Sequence, residues 1–368
     1  MKKKIIIIIA IILLVLFCSI FYILKLKNRE QNKLTQNMEV VPTMNDNISE
    51  NSSWCGTFQL VWNDMINEVI KKEIKIEPAM KMVDNLNKKD FNTSMISEDY
   101  YYKKYGPKTL ELKKEIEKSI KDKFNQSSDI LDNFNWDDTA LDNDTQERYF
   151  FYAMLYREFE YNKKFSVLKT AKFNNYDNIK YFGIDKKSTD EVRNQIEVLF
   201  YNSKDSFAVK LNTKNNDEVI LYKNPKGNTF NEIYNNIKKE SINYQGNKNF
   251  TEQDKFKAPM IDFNVKREYK ELSNKPFTSI DNKEYVIDTA VQTVSFSLDE
   301  KGGKIKSEAG LDIETTSMPV EEKPRYFNVD NTFAIFLKEA QKDNPYFAAK
   351  ISDITKFQKG VWYYKLCG

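Results

Sequence analysis

The sequence contains no histidine. Histidine activates the nucleophile in Ser-His-Asp and Cys-His catalysis, is a common metal ligand, and is the usual titrating switch near neutral pH. The chain also lacks a nucleophile elbow, a P-loop and a dinucleotide-binding fingerprint. We therefore expect a protein that is not an enzyme and that uses no metal and no cofactor.

An excess of charge of one sign is also lacking. The chain has 57 basic and 54 acidic residues, for a net charge of +3. Such a balance creates no field that attracts polyanions, so nucleic acid is not an expected partner. Four aspartates cluster at Asp137, Asp138, Asp142 and Asp144, but the glycine and terminal glutamate of an EF-hand loop are missing. A solvated acidic turn is the interpretation we favour.

Cysteine is scarce, with three residues in all. Cys18 lies in an apolar run, whereas Cys55 and Cys367 lie at the two ends of the remaining chain. If these two paired in an oxidising compartment, they would close nearly the whole domain into one loop, which contributes roughly 4 to 5 kcal/mol in the chain-entropy model. Spacing alone does not decide the pairing, so two unpaired small side chains are the alternative.

One long apolar run is present, at residues 5–24. It carries no charge, follows Lys2, Lys3 and Lys4, and matches the roughly 20 residues of a membrane-spanning helix. The run continues past Cys18 without a small-residue cleavage site, which favours an uncleaved signal-anchor over a signal peptide or a lipoprotein. The sequence predicts a cytoplasmic tail at 1–4, a single-pass anchor in the lipid bilayer of the cell membrane at 5–24, and the folded part outside. Abundant Lys, Asn and Ile suggest a bacterial source.

The pattern of apolar and polar residues divides the rest of the chain into segments. Residues 25–53 are polar and aperiodic and predict a flexible linker. Helical spacing of apolar residues follows at 58–70, 78–88 and 108–126, and later at 229–239. Strand-like runs lie at 149–156, 178–184, 195–201, 206–211, 218–222, 259–266, 285–298, 333–338, 345–351 and 361–366. Helices first and strands later predict one α+β domain over 54–368, with a helical amino-terminal part and large, mostly antiparallel sheets.

The segment 300–313 has the most informative pattern. From Gly303 onward every second residue is small or apolar, and charges occupy most positions between them. This is the period of a half-buried strand, although the segment has the glycine pair and charges of an exposed loop. An ordinary edge strand or hairpin arm is the simpler interpretation. The small or apolar positions are Gly303, Ile305, Ser307, Ala309, Leu311 and Ile313.

Five motifs stand out in the last seventy residues: Glu300-Lys301-Gly302, Thr316-Ser317-Met318-Pro319, residues 327–333, residues 335–338 and residues 345–351. Together, in this order and spacing, they resemble the serpin family. In that family the first is similar to the hinge of the reactive-centre loop, the second to the cleavage region, the third to F-x-x-D-x-P-F, and the last two to the carboxy-terminal core strands. Weaker matches extend the resemblance over about 145–355. Thr332 and Ala349 depart from the Pro and Gly that are usual in the family.

The resemblance implies a reactive loop at 300–325 that a serine or cysteine protease attacks. Its hinge would be Glu300, Lys301, Gly302, Gly303 and Ile305, and counting as in serpins puts the scissile bond at Thr316-Ser317. After cleavage the loop would insert into a sheet as a new strand, with the small and apolar positions facing inward.

The resemblance implies a membrane-anchored, serpin-like inhibitor of a serine or cysteine protease, and the alternative is a non-inhibitory extracytoplasmic binding module of the same fold. Inhibitory serpins have Ala-rich hinges, whereas this chain has Lys304, Ile305 and Lys306, and the bulk of Ile305 is expected to slow insertion. An aromatic cluster, Tyr100, Tyr101, Tyr102 and Tyr105, offers a surface for a partner. Half-buried packing is the more ordinary interpretation of such a cluster.

Overall fold

The computed structural model describes residues 34–136, 148–214, 216–303 and 324–358. Within these ranges no helix is both long and apolar enough to cross a membrane. The predicted anchor at 5–24 and the predicted strand at 361–366 lie outside them, as do Cys18 and the aspartates at 137–144.

Five α-helices lie in the described chain: α1 (Thr57–Asp64), continued by a π-helical segment (Met65–Ile70), α2 (Lys81–Asn87), α3 (Leu110–Phe124), α4 (Asp190–Asn194) and α5 (Phe230–Asn243). In α3 the apolar residues Leu112, Ile116 and Ile120 repeat every fourth position and are buried. The Thr109 hydroxyl accepts from the Leu112 N–H at 3.2 Å and caps the first turn. The helices expected at 108–126 and 229–239 are confirmed as α3 and α5.

The strands of the first half are β1 (Glu39–Val40), β2 (Ser52–Cys55), β3 (Tyr101–Pro107), β4 (Tyr149–Leu155), β5 (Phe159–Glu160), β6 (Ser166–Val167), β7 (Ala171–Phe173), β8 (Tyr176–Ile179), β9 (Tyr181–Gly183), β10 (Ile196–Ser203) and β11 (Ser206–Asn212). Those of the second half are β12 (Asp217–Lys223), β13 (Lys255–Pro259), β14 (Ile261–Glu268), β15 (Pro276–Thr278), β16 (Glu284–Val286), β17 (Val291–Leu298), β18 (Gly302–Gly303), β19 (Tyr326–Asn328), β20 (Phe333–Glu339) and β21 (Phe347–Ile351).

The largest sheet has seven strands in the order β1-β2-β21-β20-β12-β11-β10. All pairs in it are antiparallel except β1 with β2. Its central strands β12 and β20 are almost entirely buried, which explains why their sequences are continuous apolar runs rather than alternating ones. The α+β class with a large antiparallel sheet is confirmed.

Two further four-stranded sheets have the orders β19-β13-β9-β6 and β14-β17-β18-β5. Strands β3 and β4 form a separate antiparallel pair along their full lengths. The short hairpins β7–β8 and β15–β16 complete the strand pairing. A cleft lies between the β3–β4 pair and the β14–β17 pair.

The predicted flexible linker at 25–53 is wrong for its carboxy-terminal part. Val40 and Val41 are 2% and 1% exposed and belong to the main core, and Ser52 and Ser53 are fully buried in β2. Strand β2 pairs with β21, which satisfies the backbone of these polar residues inside a sheet. Because small polar side chains at a sheet position leave no apolar period, the sequence pattern gave no signal there.

Candidate functional site

Among the described residues, β4 leaves one edge unpaired, and β17 leaves one edge unpaired except at its last residue. Strand β17 pairs with β14 over its whole length, from Val291 to Leu298. On its other edge, its single partner among the described residues is Gly303, opposite Leu298. Strand β4 pairs with β3 on one edge, and its other edge has no strand partner in the described part of the chain. Backbone N–H and C=O groups on both edges are therefore available to a further strand.

A cleft of about 1930 Å³ lies between these two edges. One wall is formed by residues 148–157, which include all of β4. The other is formed by residues 283–297, which include all of β17 except its last residue, Leu298. Thr57 and Phe58, at the start of α1, contribute to its lining. The cleft thus separates two halves of what would otherwise be one continuous sheet.

Strand β18 closes the upper end of the cleft. Gly303 pairs with Leu298 of β17 on one side and with Phe159 of β5 on the other, antiparallel in both cases. One strand therefore fits between the two halves at this end. Neighbouring strands lie about 4.8 Å apart, so the closed end shows the width that one added strand requires.

The residues predicted as a hinge form a tight turn between β17 and β18. The Asp299 N–H donates to the Gly302 carbonyl at 2.8 Å, and the turn is held from outside by donation from the Tyr161 N–H to the Lys301 carbonyl and from the Phe165 N–H to the Glu300 carbonyl, both at 2.9 Å. The Glu300 carboxylate also lies 3.3 Å from the Lys164 ammonium. The structure thus brings Glu300, Lys301, Gly302 and Gly303 together at one end of the cleft.

Glycine is required at both positions of β18. Gly302 has a φ of 146°, in the region that favours glycine, and a β-carbon there would lie 2.2 Å from the Phe159 carbonyl oxygen. At Gly303 a β-carbon would lie 2.6 Å from the Ser297 carbonyl oxygen. The absence of side chains allows β18 to enter between β17 and β5.

A buried charged network lies where β4 gives way to β5. Arg157, which is 2% exposed, donates from Nε to Oδ2 of Asp217 and from Nη1 to Oε1 of Glu339, both at 2.7 Å. The Tyr346 hydroxyl donates to the other Asp217 oxygen at 3.0 Å, and the Arg157 guanidinium lies 3.7 Å from the centre of the Tyr100 ring. Arg157 therefore joins a lip of the cleft to the seven-stranded sheet, through β12 and β20.

The pKa values of the two carboxylates in this network are shifted in opposite directions. Burial raises the pKa of Asp217 to about 6, although Arg157 and Tyr346 act against it. Glu339 is less enclosed, and burial is outweighed there by donation from the Ser97 hydroxyl and N–H and by Arg157, so its pKa lies below its usual value. Sequence reasoning missed this network, because its members lie 60 and 182 residues apart.

The far end of the predicted loop is held by Arg325, which is 8% exposed. Its guanidinium donates to both Asp254 oxygens, at 3.1 and 2.7 Å, and to the carbonyls of Asn247 and Asn249 at 2.6 and 2.7 Å. Immediately after it, β19 pairs in parallel with β13. The predicted loop is therefore fixed at both ends, each time to a different sheet.

The other predicted site residues are the rest of the hinge, the scissile bond and the two cysteines. Ile305, Thr316, Ser317 and Cys367 lie outside the described residues. Cys55 ends β2 and is buried, and burial raises the pKa of its thiol. The pairing of Cys55 with Cys367 stays a prediction.

The aromatic cluster around β3 is largely packed. Tyr101 and Tyr102 are half-buried in β3, and Tyr100 lies against Arg157. Tyr105 is 37% exposed, and its ring stacks on Phe151 at 5.7 Å between centroids. The packing interpretation of this cluster is confirmed. Among the described residues no group of three or more acidic or cysteine side chains is placed to hold a metal ion.

No protein-family model and no curated protein matches the chain. Among solved structures, the chain is similar to Serpin48, a highly specific serpin in the insect Tenebrio molitor, with 14% identity and a TM-score of 0.35 over 65% of this chain. It spans 64% of the length of that serpin. It is also similar to thyroxine-binding globulin in complex with thyroxine, with 11% identity and a TM-score of 0.44 over 83% of this chain and 93% of that one. One of these two solved structures is a serpin, the family that the sequence resembles.

Proposed function

We propose that this protein is a serpin-like inhibitor of a serine or cysteine protease, and that its loop at 300–325 enters the cleft between β4 and β17 after cleavage. The observation that carries the proposal is the pairing of Gly303 with both Leu298 and Phe159 at the top of that cleft. One strand already occupies the first position, and the strand edges below it have no partner among the described residues.

The register of β18 can be continued down the cleft. Gly303 lies opposite Leu298, so an antiparallel strand that continues from it brings Ile305 opposite Phe296, and Ser307 opposite Val294. Opposite residues of an antiparallel pair share a face of the sheet. Leu298, Phe296 and Val294 are all buried on the core side. The odd-numbered loop residues would therefore face the core, in agreement with the alternation in the sequence.

Burial on that face favours insertion. Ile305, Leu311 and Ile313 are the large apolar residues of the odd-numbered set, and full burial of each contributes roughly 1.5 to 3 kcal/mol. The same face excludes charge, because an unpaired buried ion costs several kcal/mol or more. After insertion the opposite face would carry the charged residues Lys304, Lys306, Glu308, Asp312 and Glu314.

The inhibitory step depends on relative rates. The protease nucleophile attacks the carbonyl carbon of Thr316, the bond to the nitrogen of Ser317 breaks, and that nitrogen leaves with a proton as a new amino terminus. The protease is then joined to Thr316 as an acyl-enzyme. If the loop inserts before water hydrolyses this ester or thioester, the protease moves with it and remains trapped. If hydrolysis is faster, the protein is a substrate.

The test is cleavage of the full-length protein within the loop. We expect the cut chain to unfold at a clearly higher temperature than the uncut chain, and at least one serine or cysteine protease to form an adduct that survives SDS. A rise in melting temperature without any adduct would identify the non-inhibitory binding module of the same fold. Cleavage that lowers the melting temperature would contradict insertion.

We propose further that residues 5–24 anchor the protein in the cell membrane, with the folded part on the extracytoplasmic side. The uncharged run at 5–24 supports this arrangement. Protease added to intact cells should then cut the full-length chain, and a chain beginning at residue 34 should leave the membrane fraction. Protection of the domain until the cells are lysed would contradict the orientation.

A further inference from the structure

Among the described residues, little neutralises the two cations at the lower end of the cleft. Lys108 follows β3 and Arg148 precedes β4, and the Lys108 N–H donates to the Arg148 carbonyl at 2.9 Å. Both residues line the cleft. Their positions at the adjoining ends of two paired strands keep the two positive charges close together.

The Lys108 side chain is 8% exposed, which is rare for a lysine without a close partner. Among the described residues one carboxylate approaches it, that of Asp288, at 4.0 Å and itself 67% exposed. No described residue accepts a hydrogen bond from its ammonium group, and Arg148 forms no ion pair within the described chain. A buried ammonium in this state has lost hydration without gaining a comparable acceptor.

The surroundings of Lys108 are aromatic. Its ammonium lies 6.0 Å from the centre of the Phe134 ring and 5.9 Å from that of Trp136. Phe134 lines the cleft together with Tyr149 and Phe150. Burial lowers the pKa of Lys108, and the neighbouring charge of Arg148 adds to the effect. An anion bound between Lys108 and Arg148 would offset both the lost hydration of the buried ammonium and the repulsion between the two positive charges.

We infer that the lower end of the cleft is a binding site for an organic anion, namely a single carboxylate on an aromatic or apolar body. The carboxylate would accept from Lys108 and Arg148, and the body would lie against Phe134 and Tyr149. Charge-assisted hydrogen bonds are the strong ones, and small-molecule sites typically combine a few such polar groups with aromatic and apolar lining. This inference does not depend on insertion of the loop.

The probe is 2-naphthoate, titrated into the full-length protein by calorimetry, with 2-naphthamide as its neutral match. We expect saturable binding of one 2-naphthoate per chain and binding of 2-naphthamide that is weaker by about tenfold or more, since the amide offers no charged acceptor. Lys108→Met and Arg148→Met should each weaken 2-naphthoate binding about tenfold. Arg148→Met carries the test if Lys108→Met does not fold.

The matched control is Lys121→Met, which removes an exposed lysine from the lining of the same cleft. It should leave 2-naphthoate binding within about twofold of the wild type, because a solvated charge contributes little. Three results would each overturn the inference: no saturable binding of 2-naphthoate, equal binding of 2-naphthamide, or equal effects of Lys121→Met and Arg148→Met.

Discussion

Gly302 lies so close to Phe159 that a β-carbon on Gly302 would come within 2.2 Å of the Phe159 carbonyl oxygen. This approach allows β18 to pair with β5 while it also pairs with β17. The contact joins the two halves of the divided sheet at one end, above the open cleft.

Gly302→Ala should therefore destabilise the fold. The backbone there is in a conformation that favours glycine, and the new methyl group meets backbone atoms that have little freedom to move. We expect a loss of about 1 to 3 kcal/mol in the free energy of unfolding, measured with urea. Gly106→Ala is the control, because a β-carbon at Gly106 meets only the Leu112 side chain, at 3.6 Å. Equal losses in the two variants would contradict the close packing at the hinge.

The Arg157 network predicts a dependence of stability on pH. Because burial raises the pKa of Asp217 to about 6, above the unfolded value near 3.8, its contribution is fully present below pH 4 and is lost as the pH rises past 6. Asp217→Asn stays neutral at every pH. From pH 4 to pH 7 the variant should gain roughly 2 to 3 kcal/mol relative to the wild type.

The control for this pH experiment is Asp185→Asn. Donation from the Lys187 N–H lowers the pKa of Asp185, so the trend should have the opposite sign: the wild type gains on the variant as the pH rises through the acidic range. Urea unfolding at a series of pH values from about 3 to 7 measures both variants. A stability difference between Asp217→Asn and the wild type that does not change with pH would show that Asp217 is not titrating as its burial requires.

Arg325 should be essential for holding β19 in place. Arg325→Ala leaves the Asp254 carboxylate buried without its partner, at a cost of about 3 to 5 kcal/mol. Arg325→Lys should recover little of this, because a lysine does not reproduce the contacts that the planar guanidinium makes at once with Asp254, Asn247 and Asn249. Urea unfolding measures the loss, and hydrogen exchange at Lys255 and Lys257 should accelerate in both variants. Full recovery by lysine would mean that charge alone holds the strand.

Two single lysine substitutions at adjacent positions test which loop residues face the core after insertion. Leu311→Lys places a charge on the face that would be buried after insertion, whereas Asp312→Lys places it on the opposite face. We expect Leu311→Lys to remove several kcal/mol of the stability that cleavage adds, and Asp312→Lys to remove little. Urea unfolding of cut and uncut chains measures both. Equal effects would contradict the register continued from Gly303.

Local patterns in the sequence predicted much of the fold. Short apolar or alternating runs predicted β11, β12, β20 and β21 nearly to the residue. The prediction worked because the sequence of each of these strands has the apolar pattern of a buried or half-buried strand. Strand β3 was missed, because residues 101–104 are half-buried on both faces and show no period. The linker prediction failed at β2, where small polar side chains are buried.

The candidate site was predictable only at its hinge. The glycine pair and its neighbours marked the segment 300–303, but the cleft is formed by β4 and β17, which are far apart in the sequence. Arg157 and Arg325 gave no local signal, because their carboxylate partners lie 60 or more residues away. Contacts at that separation come from the packing of the sheets rather than from any motif.

The central claim is that the cleft receives the loop as a new strand of the sheet, and hydrogen exchange on the β17 edge tests it most directly. In the uncut protein, the amides of residues 291–297 that do not bond to β14 should exchange quickly, because they face the open cleft. After cleavage within the loop they should become strongly protected, in step with the amides of β4. Exchange that is unchanged or faster after cleavage would contradict the account.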